Sequence, residues 1–184
     1  MVSRKYTSDY RLEDTLDPKT GRMATRSVYQ GQWFCFRADA AAVRRAARAY
    51  VALTALCAVL FLVPLLLDPP GMRAAYAAVP FVALAFPIFY LAAGCKRLLE
   101  AKERVTREHK DKIVERLRGA SVSACALSGV SLVGLVVSWC LHGFAAIDLT
   151  CALAAALIVA VNLVMLLRLH KNVEMEPEAE AAGQ

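Results

Sequence analysis

"CKRLLEAKERVTREHKDKIVERLRG" (residues 95–119) decides the fold through its contrast with what flanks it. Between Cys95 and Gly119 it holds nine Lys/Arg and five Asp/Glu. On either side, residues 74–95 and 119–141 contain no Asp, Glu, Lys, Arg or His, and further out the runs 49–67 and 149–167 are equally free of them. Each run is 19–23 residues long. As a helix that is about 28–35 Å, the thickness of a bilayer's hydrocarbon core. Long helices of a soluble bundle keep a polar face, and these four carry no charge on any face. The chain of 184 residues is 58% hydrophobic, above the roughly 45–50% of soluble domains. The predicted fold is an all-α integral membrane protein. Four transmembrane helices form two hairpins, with a short N-terminal cytoplasmic β-hairpin.

Charge sets the expected orientation. Residues 1–48 hold ten Lys/Arg and residues 168–184 hold two, whereas the connection 68–73 holds only Arg73 and the connection 142–148 none. Cytoplasmic flanks retain Lys/Arg because moving them across the bilayer is unfavourable. Both termini and the 96–118 connection are therefore expected in the cytoplasm of a multi-pass protein of the plasma (inner) membrane. Topology accounts for the opening stretch. Its acids dilute it too far for a nucleic-acid site, and contact with anionic lipid heads is generic. The first apolar run begins near residue 49, too late for a secretory signal peptide, so the first span is expected to direct insertion.

Three regions follow. Residues 1–38 form the cytoplasmic N-terminal region. "DPKTG" (Asp17–Gly21) reads as a turn joining "YTSDYRLEDTL" to "RMATRSVYQGQWFCF", a hairpin with β-formers near its end. Gly31 marks a bulge or a close backbone approach. Tyr29, Trp33, Phe34 and Phe36 precede the membrane entry as an interfacial aromatic anchor, with a partner-binding patch as the sharper alternative. Residues 39–171 form the transmembrane domain. Asp39 is the expected N-cap of the first span, which should end near Pro64, with "DPPG" (Asp68–Gly71) as its outer turn. Pro80 and Pro87 should bend the second span. The connection 96–118 projects as an amphipathic helix. Two helical extensions joined near 106–111, with Leu98 and Leu99 facing Val114 and Leu117, fit a compact bundle better than one straight helix. Residues 172–184, with four Glu and little apolar surface, read as a disordered acidic tail.

The third span carries Ser121, Ala124, Ser128, Ser131, Leu135 and Ser138 at alternating three- and four-residue spacing. Helices in lipid associate through small side chains and hydroxyl hydrogen bonds. This seam is expected against the fourth span, whose Asn162 should bond to a third-span hydroxyl or carbonyl, because an amide in hydrocarbon without a partner is costly. A seam for a second subunit is the alternative.

The motifs assign no catalytic residue, cofactor or metal site. The spans hold no intramembrane acid or base for coupled transport, and His109, His142 and His170 lie outside them. HExxH, P-loop, GxSxG and CxxC are all missing from the sequence. Cys140 and Cys151 flank the last outer turn, and a disulfide between them stays open. The expected function is that of a non-enzymatic interaction or accessory subunit. Its partners are the lipid bilayer and either a second protein or copies of itself, with no nucleic acid. A small oligomeric transporter or channel lined by the serine seam is the alternative.

Overall fold

A computed structural model of the chain describes residues 4–16, 23–101 and 104–178. Four of its helices are long and apolar enough to cross a membrane. The first, α1 (Ala40–Leu67), is continuous over 28 residues. The second is divided into α2 (Ala75–Ala83) and α3 (Ala85–Glu100). The third, α4 (Arg107–His142), has 36 residues. At about 54 Å it exceeds a hydrocarbon layer of about 30 Å, and its N-terminal third carries all its Lys and Arg residues. The fourth, α5 (Ala146–Val164), continues through a π-turn at Met165–Leu169 and a 3₁₀ turn to Asn172. Helix α1 packs on α3 and α5, and α4 packs on α2, α3 and α5. These four helical units of membrane-spanning length, called spans below, therefore close into a ring in sequence order, as short connections between antiparallel helices favour.

Local chemistry sets the helix boundaries. Asp39 caps α1, its Oδ1 accepting from the Ala42 amide at 3.1 Å. Pro64 does not end that helix. It sits in the last turn, where one lost backbone bond is tolerated, and the helix stops at Asp68, whose φ of 41° is left-handed. The second span breaks at Leu84, between Pro80 and Pro87. Pro87 has no N–H to offer the Ala83 carbonyl. The Leu84 amide falls back on Phe81 O at 3.0 Å, and α3 restarts as Ile88 N reaches Leu84 O at 3.1 Å.

Strands gather at the basic end of the ring. β1 (Tyr10–Leu16) and β2 (Met23–Tyr29) pair antiparallel, Tyr10 opposite Tyr29 and Leu16 opposite Met23. The turn expected at Asp17–Gly21 lies outside the described residues. β3 (Trp33–Phe36), β4 (Arg104–Thr106) and β5 (Met175–Pro177) form a second antiparallel sheet in the order β4-β3-β5.

This second sheet corrects two expectations. The connection 96–118 does carry two helical extensions, the end of α3 and the start of α4, but they are separated by residues 101–106 rather than joined at 106–111. Helix α3 ends at Glu100, and Arg104–Thr106 is a strand. Val105 is buried with Phe34 beneath the bundle, and β3 offers that segment a ladder that an isolated amphipathic helix would forgo. Leu98 does meet Ile113 and Leu117 in the core, but Leu99 is exposed. The segment after 171 is also ordered as far as residue 178: Val173 and Met175 are buried, and β5 pairs with β3. Residues 179–184 lie outside the described part.

The core has three layers. At the basic end, Tyr50, Leu91, Ile113, Leu117 and Met165 meet Phe34, Val105, Val173 and Met175 from the sheet. The middle layer is built on Cys57, Phe81, Leu84, Ala124 and Ile158. At the opposite end Ala77, Leu135 and Cys151 close the bundle.

Candidate functional site

The sheet ties three distant parts of the chain into a cap. Its middle strand follows the N-terminal hairpin, β4 joins the second span to the third, and β5 follows the fourth. Alternation in β3 turns Phe34 into the core, where the Lys110 ammonium lies 4.1 Å from its ring centroid. Arg104 of β4 pairs with Glu178, just past β5, at 2.7 Å, and Arg37, just past β3, pairs with Glu176 of β5 at 3.4 Å. Both pairs are largely exposed, so they fix register more than they stabilise.

The β1–β2 hairpin hangs from this cap on a chain of rings. Tyr10 meets Tyr29 edge-on at 5.2 Å, and Tyr29 meets Trp33 at 5.0 Å. The Tyr29 hydroxyl donates to Gln32 O at 2.8 Å and accepts from the Arg107 amide at 3.1 Å. Gly31 is a close approach: a Cβ there would lie 2.6 Å from the Tyr29 oxygen. Tyr6 donates to Asp111 on α4 at 2.7 Å, a second tether. Burial, and then the Glu108 carboxylate, raise the Tyr10 phenol above its ordinary pKa. The four anchor aromatics therefore take different places. Phe34 is buried, Phe36 packs on the core edge, Tyr29 joins hairpin to cap, and Trp33 is 39% exposed. Leu12, the third residue of β1 and opposite Ser27, is 71% exposed.

The small-residue seam of α4 is buried along its whole length: Ser121, Ala124, Ser128, Ser131, Leu135 and Ser138 all face the bundle interior. It serves two neighbours. Ser121 donates to Met165 Sδ at 3.9 Å, beyond the end of α5. Ser131 donates to Ala77 O of α2 at 3.1 Å. One turn further, Gly134 lies so close to α2 that a Cβ would come within 2.8 Å of Tyr76 O. The sequence signal for this second contact was Pro80. It has no N–H to occupy the Tyr76 carbonyl, so backbone is bared there.

Asn162 corrects another expectation. Its amide is fully buried but does not bond to α4. It donates to Ile158 O on its own helix at 2.8 Å and to Cys57 Sγ on α1 at 3.5 Å. A short polar side chain can reach the i−4 carbonyl of its own helix, and here that bond takes the place of one to α4. Its Oδ1 and the Ser128 hydroxyl each lack a hydrogen-bond partner among the described residues.

The opposite end holds a residue that sequence reasoning passed over. Asp148 sits one position before the apolar run 149–167 and reads as part of a loop. In the structure it lies in the first turn of α5, 2% exposed, and its Oδ1 accepts from the Gly71 amide at 2.9 Å. It thus joins the 68–73 connection to the 142–148 connection. The six cysteines are free thiols, Cys140 exposed and Cys151 buried. Among the described residues no group of three metal-ligating side chains comes together.

No family model, curated protein or solved structure matches the chain.

Proposed function

We propose that the chain is a polytopic plasma-membrane protein with both termini cytoplasmic, acting as a non-catalytic interaction or accessory subunit whose basic-end cap docks a partner protein. The four apolar helices support membrane placement, and the Lys/Arg distribution supports this orientation. The observation that carries the docking role is the β1–β2 hairpin. A lone two-stranded hairpin is marginal in water, yet this one is tethered at Tyr6, Tyr10 and Tyr29 while Leu12 of β1 stands in solvent. Such a two-stranded ribbon presents edges to which a partner strand can add.

A photo-crosslinking residue at Leu12, compared with one at Leu66 on the opposite end, tests this in intact membranes. The expected result is a single heterologous adduct of defined mass from position 12, recovered in stoichiometric amount with the gently solubilised chain. A chain that purifies alone would refute the reading. One that crosslinks only to itself would favour the oligomeric transporter or channel.

A further inference from the structure

Two cavities at the basic end share one side chain. The first, about 800 Å³, lies between the end of α3 and the start of α4. Spacing builds its walls: Lys96, Arg97 and Glu100 recur at one face of α3, and His109, Ile113 and Arg116 at one face of α4. Four cations (Lys96, Arg97, Arg104 and Arg116) face the one carboxylate of Glu100. Arg104 is held by Glu178. Lys96, Arg97 and Arg116 have no carboxylate partner among the described residues. The cavity therefore concentrates positive charge, two of the three cations without a carboxylate partner being guanidinium forks suited to phosphate oxygens.

The second cavity, about 620 Å³, is a lateral groove between the same helices. Arg116 lines both, its guanidinium 5.3 Å from the centroid of Tyr90. From there the groove runs toward the bundle's middle past Phe86, Pro87, Ser123 and Leu127. From Arg116 to Leu127 is about 16 Å along α4, half of a hydrocarbon core of about 30 Å and so the depth of one leaflet. Of the charged groups at its mouth, Asp111 accepts from Tyr6 and Lys112 pairs with Glu108, while Glu115 and Arg116 line the groove without an ion pair among the described residues.

We infer that these cavities form one site for a membrane phospholipid with an anionic headgroup, its phosphate held by Lys96, Arg97 and Arg116 and one acyl chain lying in the groove. The site rests on the membrane placement proposed above. It does not depend on the hairpin or on any protein partner. A basic pocket between spans at the cytoplasmic face matches such headgroups in charge, and the groove supplies what a soluble phosphate would leave unused.

The test uses the full chain in detergent, with native mass spectrometry of lipids retained from equal mixtures of dioleoyl phosphatidylglycerol and dioleoyl phosphatidylcholine. The wild type should retain phosphatidylglycerol selectively. Arg97→Gln should lower that selectivity about fivefold, and Arg97→Gln with Arg116→Gln about 25-fold, with phosphatidylcholine retention unchanged. Ser123→Trp, which fills the groove and leaves every cation, should lower retention of both lipids. Millimolar inorganic phosphate should not displace the lipid. Equal retention of the two lipids, selectivity indifferent to both arginine variants, or displacement by inorganic phosphate would each overturn the site. Flotation with phosphatidylcholine vesicles reports separately on membrane placement. A chain that floats without selectivity refutes the lipid site alone; one that fails to float refutes the placement.

Discussion

The pairing of Gly71 with Asp148 gives the sharpest test of how the end opposite the cap is held. A Cβ at position 71 would lie 2.9 Å from Asp148 Cγ and Oδ2 and 3.0 Å from Oδ1. Gly71 is not among the residues of positive φ, so its backbone does not require glycine. The carboxylate leaves no room for anything else. In Gly71→Ala the carboxylate must move and its 2.9 Å bond to the amide is strained or lost. Overpacking of this kind costs about 1–3 kcal/mol. In Asp148→Ala the amide of a buried turn loses a charged acceptor, worth about 1.5–3 kcal/mol. For a chain of this size each kcal/mol moves the unfolding midpoint by about 2–4 °C, so Asp148→Ala should lower it by about 3–12 °C.

The double variant decides the cause. With the carboxylate gone, a methyl group at position 71 meets space, and Gly71→Ala should cost almost nothing further. The expected coupling is therefore about 1–3 kcal/mol, well outside the roughly 0.5 kcal/mol within which independent sites add. The readout is the apparent midpoint in detergent at one fixed scan rate: the double variant should melt with Asp148→Ala and not below it. Additive losses would refute the steric argument and show that glycine is needed at 71 for its backbone.

Topology is checked with reporters: fusions at Gly71 and Gly143 should read extracytoplasmic and one at His109 cytoplasmic, and a reversed signal at His109 would overturn the orientation. On α4, Gly134→Ala should destabilise by about 1–3 kcal/mol, because its Cβ would meet the α2 backbone. Gly129→Ala, with nothing within 4 Å of the added atom, should be neutral or stabilising by up to about 1 kcal/mol; equal thermal shifts for the two would refute the close approach. Phe34→Ala should cost about 3–5 kcal/mol and expose β4 and β5 to limited proteolysis while the spans stay protected. Asn162→Leu should change stability by less than about 1 kcal/mol and leave α4–α5 packing intact, since its amide bonds within α5 and to α1; strong coupling to Ser128→Ala in a double-mutant cycle would restore the α4 pairing.

What was legible in the sequence was what a local pattern carries. Four charge-free runs of membrane length, the Asp39 cap, the strand pair before the first span and the bend between Pro80 and Pro87 all depend on residues near one another. The β4-β3-β5 sheet does not. Its outer strands have three residues each, and each is separated from β3 by at least two whole spans' length of chain. A three-residue strand has no readable period, and Arg104–Thr106 sits inside a stretch whose charges fit a helix. A faint signal existed in the tail, where Val173, Met175 and Pro177 alternate with Glu174 and Glu176. That is the period of a strand with one face buried, masked by an acidic composition. Asp148 escaped because charge was used to draw the boundary of the fourth span, and a buried acid at a helix start looks the same in sequence as an exposed one.

The seam of α4 shows how two weak local signals become one contact. Pro80 was legible as a bend and the serine and glycine spacing of α4 as a packing stripe, but neither names its partner. The structure joins them through backbone chemistry. A proline leaves the carbonyl four residues earlier without its helical donor, here Tyr76 O. Baring a carbonyl is costly in an apolar setting unless something polar or very close covers it. Gly134 brings α4 within that reach, and Ser131 places its hydroxyl on the neighbouring Ala77 O. A larger residue at 134 would hold the helices apart and leave the freed carbonyl uncovered. The stripe of small residues is thus matched to the proline on the second span at least as closely as to the fourth. That match places α4 between α2 and α5 in the ring.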